Sequence, residues 1–202
     1  MEPHEPTYAA TVAHRLTTAV LILSSIFAVW IVVQAIAGER DDVFFDASAT
    51  LDQELLPDGV YAIGEQDTGI AIENPTAREQ RLGAASDLLP LVLTIAILWF
   101  LRGIARSVRD GDPFTATNVR RLQAIGGLLM VGFVAAHFAD LALQDALLEP
   151  YSRARDAFDE PGLRPADDRF PGNALLFGLG VIVLAQVFAH GVALREDVDA
   201  TI

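Results

Sequence analysis

The stretch LTTAVLILSSIFAVWIVVQAIA, Leu16 to Ala37, runs for 22 residues without a charged side chain. Wound as a helix rising 1.5 Å per residue, it covers the roughly 30 Å of a bilayer's hydrocarbon core. A second uncharged stretch of the same length lies between Asn173 and Leu194. At 202 residues and 52% hydrophobic, the composition alone fits one apolar soluble domain. A soluble helix, however, rarely needs so long an uncharged run. The expected fold class is therefore an all-α membrane protein.

Working outward from the first run, two further spans complete a four-transmembrane-helix bundle. The first span, 16–37, follows a polar segment ending in His14 and Arg15. Its rival is a cleaved signal peptide, because Ala35-Ile36-Ala37 before Gly38 has the small-residue pattern of a cleavage site. An uncleaved anchor is the preferred reading, since the apolar core exceeds that of typical signals. The second span, 88–106, is expected to start at Asp87 with Pro90 in its first turn, where the missing N–H costs nothing. Trp99, Arg102 and Arg106 then fall at a membrane face. The third span, 122–144, carries His137 and Asp140, and the fourth is 173–194. The whole chain, 1–202, reads as one membrane domain with outer loops 38–86 and 145–172 and an inner loop 107–121.

Orientation follows from arginine. Arg102, Arg106, Arg109, Arg120 and Arg121 crowd the short connection between the second and third spans, which places it and both termini in the cytoplasm of a cell membrane. Over all loops the count is seven arginines on each side, and those outside are diluted through two long loops. In the first outer loop, Val60 to Ile63 and Ile70 to Ile72 alternate as β-prone pieces and suggest an extracytoplasmic β-hairpin cap packed on helix ends or on the second outer loop. That second loop is proline-rich, with a short helix expected around Tyr151 to Phe158.

Several chemistries find no support. The net charge of −13 argues against direct nucleic-acid binding. Zero cysteines remove disulfides, thiolate metal sites and cysteine nucleophiles. Four scattered histidines do not make a metal site, and no serine sits in a Gly-x-Ser-x-Gly setting. No enzymatic activity, metal or cofactor is expected. The acidic residues Asp41, Asp42, Asp46, Asp52, Glu54 and Asp58 match no cation loop and read as a solvated face.

Two groups stand out as candidate sites. His137, Asp140 and Gln144 share a face of the third span, and Gln34 in the first is a candidate partner. The alternatives there are a polar structural tie and a proton or ligand site. In the inner loop, Gly111-Asp112-Pro113-Phe114-Thr115 leads through Asn118 to Arg120-Arg121-Leu122. Asp112-Pro113 forces an extended or turn conformation, Thr115 or Thr117 can cap the next helix, and the two arginines anchor it at headgroups. This loop is either a rigid capped turn or a docking site for a cytoplasmic protein. His190 with Gln186, near His14 or Arg106, and the glycines Gly126, Gly127, Gly132, Gly178 and Gly180 read as structure and packing.

The Gly-Asp-Pro-Phe-Thr segment with Asn118, followed by the tail Leu194-Arg195-Glu196-Asp197-Val198-Asp199 after the fourth span, resembles the bacterial membrane-protein family DUF2975 over nearly the whole chain. The resemblance implies four spans, no assigned activity, no catalytic residues to carry over, and a small helix-turn-helix regulator as a possible class of cytoplasmic partner. The resulting expectation is a binding or regulatory protein that couples an extracytoplasmic or lipid signal to that partner. The alternative is a homo-oligomeric small transporter or exporter subunit that uses His137 and Asp140.

Overall fold

The computed structural model describes residues 8–38, 42–46, 56, 58–63, 69–148 and 172–199. Four helical stretches among them are long and apolar enough to cross a membrane: Tyr8–Ala37, Ala77–Arg109, Ala116–Leu147 and Gly172–Arg195.

Helix α1, Tyr8–Ala37, begins a full two turns before the uncharged run. Ala35-Ile36-Ala37 forms its last turn, and Gly38 ends it at φ 72°, donating its N–H to the Gln34 carbonyl at 3.0 Å. That left-handed geometry is one glycine adopts without a Cβ penalty.

Helix α2, Ala77–Arg109, corrects the expected start at residue 88 by eleven positions. Thr76 and Glu79 form a capping box. The Glu79 carboxylate accepts from the Thr76 N–H at 2.6 Å and from its hydroxyl at 2.7 Å, and the Thr76 Oγ1 accepts from the Glu79 N–H at 3.4 Å. Pro90 therefore lies inside the helix, where it removes a backbone donor that would otherwise reach the Ser86 carbonyl. At the other end Gly111 N–H donates to Val108 O at 3.1 Å and Asp112 N–H to Ser107 O at 3.0 Å, with Gly111 at φ 83°. This is a Schellman stop.

The third stretch consists of α3, Ala116–Gly127, a π-helical turn at Leu128–Gly132, and α4, Phe133–Leu148. Across the turn the Phe133 N–H reaches back to the Leu128 carbonyl, one residue further than an α-helix allows. Helix α5 is Gly172–Asp199 and carries the charged tail as a helical extension.

The described residues within 1–27, 91–134 and 172–202 form one compact unit, and those within 28–90 and 135–171 another. In the first, α3 packs against α5 over glycine. A Cβ on Gly126 would stand 2.6 Å from Ile182 Cγ1 and 3.1 Å from the Gly178 carbonyl, and one on Gly178 would meet Met130. Leu122, Ile125 and Ala185 are buried beside them. Gly132 serves the same end against Leu93, whereas Gly127 and Gly180 have no neighbour for an added Cβ to meet. Large apolar side chains such as Leu23, Phe27, Phe177 and Val183 stay exposed. That is the pattern of helices whose outer faces suit hydrocarbon.

In the second unit the expected hairpin is part of a three-stranded antiparallel sheet. Strands β1 (Asp42–Asp46), β2 (Val60–Ile63) and β3 (Gly69–Glu73) lie in the order β1-β3-β2, with Val43 and Val60 both opposite Ile72. Asp42 and Asp46, expected in a solvated acidic loop, are the ends of β1. Val43, Val60, Ile70 and Ile72 form a core with Leu147 of α4, and Leu82 of α2 packs against it. The sheet thus rests on helix ends. In register, Tyr61 of β2 and Phe44 of β1 lie opposite Ala71 of β3, which is fully buried. Asp41, Asp52, Glu54 and the segment Tyr151 to Phe158 lie outside the described residues.

Candidate functional site

The connection between α2 and α3 is built around Asn118, which has no exposed surface. Its side-chain amide donates to Ser107 Oγ at 2.8 Å and to the Pro113 carbonyl at 2.9 Å, and its oxygen accepts from Arg121 at 2.8 Å. Arg121 also donates to the Gly103 carbonyl at 2.9 Å, while Ser107 donates to the Asp112 carbonyl at 2.5 Å. Thr115 is the N-cap of α3, its hydroxyl accepting from the Asn118 N–H at 3.1 Å. Arg121 is thus held in a polar network within the turn. Arg120 is exposed.

This turn is joined to the tail of α5. Asp112 pairs with Arg195. Phe114 lies against Phe188 with ring centroids 5.2 Å apart, and a Cβ on Gly191 would come within 2.7 Å of the Phe114 ring. Phe114 nevertheless remains 43% exposed. The arrangement is a stiff surface with an apolar ring and an ion pair at its rim. Among the remaining arginines of the connection, Arg106 and Arg109 both face Asp110, at 3.7 and 3.1 Å.

The intramembrane candidates separate. Asp140 accepts from Ser86 of α2 and from Gln144 at 2.8 Å, so both carboxylate oxygens have donors. His137 touches the neighbouring Phe138 ring at 5.5 Å. Among the described residues neither His137 nor Gln34 forms a side-chain hydrogen bond, and neither joins Asp140. Ser86 was not singled out from sequence; its signal is position, a hydroxyl one turn before Pro90 on the span next to Asp140. His190 contacts its own helix at the Gln186 carbonyl, 3.0 Å away, and does not bond to His14 or Arg106. Among the described residues no cluster of histidine, aspartate and glutamate could hold a metal.

Thr18 is a further residue that sequence reading passed over. Its hydroxyl donates to the His14 carbonyl at 2.7 Å and accepts from Arg102 Nε at 3.0 Å. Only a polar residue inside an uncharged run marks it.

No curated protein and no solved structure matches the chain. The family model described as protein of unknown function (DUF2975) matches residues 65–154. That segment contains α2, the Asp112 to Arg121 turn and the third helical stretch, and stops short of the first and fourth stretches and the Arg195 tail, so the likeness is narrower than the sequence pattern suggested. Over residues 65–154 the chain is similar to the DUF2975 family, whose function is unknown.

Proposed function

We propose that this chain is a four-span protein of the cell membrane, with both termini and the α2–α3 connection in the cytoplasm. It acts as a binding and regulatory protein, not as an enzyme. The Asp112 to Arg121 turn and the end of α5 form its docking surface for a cytoplasmic protein such as a small helix-turn-helix regulator. The sheet and the Ser86–Asp140–Gln144 cluster form its extracytoplasmic, signal-receiving part.

The observation that carries this reading is the union of turn and tail through Asp112–Arg195 and Phe114–Phe188. A connector needs only to turn the chain. Here the turn is stiffened by the Asn118 network and holds a half-exposed aromatic ring beside an ion pair, the mixture of apolar anchor and polar rim found in recognition surfaces. The arginine-rich flanks support its cytoplasmic side, and the exposed apolar helix faces support a bilayer around it. Asp140, satisfied by Ser86 and Gln144, supports a tie between α2 and α4 that a change of packing loosens.

The test is affinity purification of the tagged full chain from solubilised membranes, with Asp112→Ala and Phe114→Ala beside the natural sequence. A cytoplasmic protein that co-purifies with the natural chain and is lost from both variants fits the proposal. Retention in both contradicts it.

A further inference from the structure

Most described arginines of the α2–α3 connection have anionic or carbonyl partners. Arg106 and Arg109 have Asp110, and Arg121 has Asn118 and the Gly103 carbonyl. Arg102 differs. It is half-buried, and among the described residues its single hydrogen bond is from Nε to Thr18 Oγ1, with no carboxylate in ion-pair reach. Thr18 in turn commits its proton to the His14 carbonyl, so its lone pair is turned toward the guanidinium. The bond fixes Arg102 by its inner nitrogen. The two terminal nitrogens are left, a planar fork of four N–H donors.

A second observation points the same way. His14, one turn before Thr18 on the same helical face, has its Nδ1 enclosed and without a partner among the described residues. An enclosed ring nitrogen and a half-buried guanidinium without counter-charge are both costly unless something satisfies them. Trp99, 62% exposed and three residues before Arg102, is the kind of side chain that sits at headgroup level. At that level the abundant oxyanion is phosphate, and its geometry matches an arginine fork.

We propose that Arg102, oriented by Thr18 and flanked by His14, binds a phosphate oxyanion end-on through its two terminal nitrogens, the phosphate being that of an anionic phospholipid or a free phosphate. This rests on the membrane-spanning part of the proposed function and is independent of the docking surface. It names a ligand class for the inner end of the α1–α2 pair, which the Ser86–Asp140 cluster does not involve.

The experiment uses the purified full chain in micelles doped with phosphatidylglycerol or phosphatidylcholine, or supplied with inorganic phosphate, and reads bound lipid by native mass spectrometry and the thermal midpoint. The natural chain should prefer phosphatidylglycerol. Arg102→Gln and Thr18→Val should each weaken that preference, Arg102→Gln by roughly tenfold, whereas Arg120→Gln, which removes an exposed arginine, should keep it. Thr18→Val retains the charge and is close in shape, so it tests the orientation even where Arg102→Gln folds poorly. Stabilisation by inorganic phosphate that Arg102→Gln abolishes assigns the site to free phosphate; stabilisation by phosphatidylglycerol alone assigns it to lipid. Equal binding of the two lipids with no stabilisation by inorganic phosphate, or a lipid preference and phosphate response unchanged in both variants, overturns the inference. Because the protein is taken from membranes, that result leaves the spanning reading intact, and lipid preference in Asp112→Ala separates this site from the docking surface.

Discussion

Phe114 of the α2–α3 turn lies on Phe188 of α5 at 5.2 Å between ring centroids, over the Cα of Gly191. The two rings join a turn to a helix 74 positions later in the chain, and the contact depends on residue 191 having no side chain. Gly191→Ala places a methyl 2.7 Å from the Phe114 ring. It should lower stability by about 1–2 kcal/mol, the usual scale of overpacking. Phe114→Ala in the same chain should recover part of that loss, a non-additivity that a double-mutant cycle of thermal midpoints measures.

Asn118 should be the most sensitive polar residue of the turn. Asn118→Ala strips partners from Ser107, Arg121 and the Pro113 carbonyl at once, and orphaned groups in a buried site cost about 1–3 kcal/mol each. A loss on the order of 3 kcal/mol is expected. Thr115→Ala, which removes only the cap, should cost about 1 kcal/mol. Unfolding of the two variants in matched micelles gives the ratio.

At the start of α2, Thr76→Ala should cost about 1 kcal/mol through the lost capping box. Its mark is local. Hydrogen exchange should rise over the first turns of α2 and in the sheet that packs on Leu82, and stay unchanged at the α2–α3 turn.

The Tyr61 phenol is raised above its ordinary value of 10.0, first by desolvation, then by the charge of Asp42, which also accepts its hydrogen bond, and by Glu73. The neutral phenol is the form the fold favours. Its contribution is therefore fully present below the unfolded value and is lost as pH climbs through the higher folded one. In an absorbance titration Tyr61→Phe should remove a late-titrating phenol, and Asp42→Asn should bring that phenol toward the ordinary range.

The helices were the legible part of the fold, because long uncharged runs carry their meaning locally. Their true ends needed more. Thr76 and Glu79 at capping-box spacing and Gly111 at a helix stop are readable signals, but Pro90 drew attention to itself and moved the expected start of α2 too far along. Strand β1 pairs with β3 across intervening chain, so no turn residues announce it, and its flanking aspartates disguise Val43 and Phe44 as loop. Within the turn, the role of Thr115 could be read from spacing. That Asn118 is the hub could not, since its partner Ser107, like the Gly103 carbonyl that holds Arg121, comes from the preceding helix. Gln34 looked like a partner for Asp140 by residue type; Ser86 holds that place through helix pairing, which one sequence does not encode locally.

The chain contains no cysteine, so single cysteines report cleanly on sidedness. The most direct measurement is labelling of intact cells with a membrane-impermeant maleimide at Asp110→Cys in the α2–α3 turn, Asp197→Cys in the tail and Asp58→Cys beside the sheet, all exposed positions. The account expects Asp58→Cys to label in intact cells, and Asp110→Cys and Asp197→Cys to label only after permeabilisation. Labelling of Asp110→Cys in intact cells would put the turn outside and contradict a cytoplasmic docking surface.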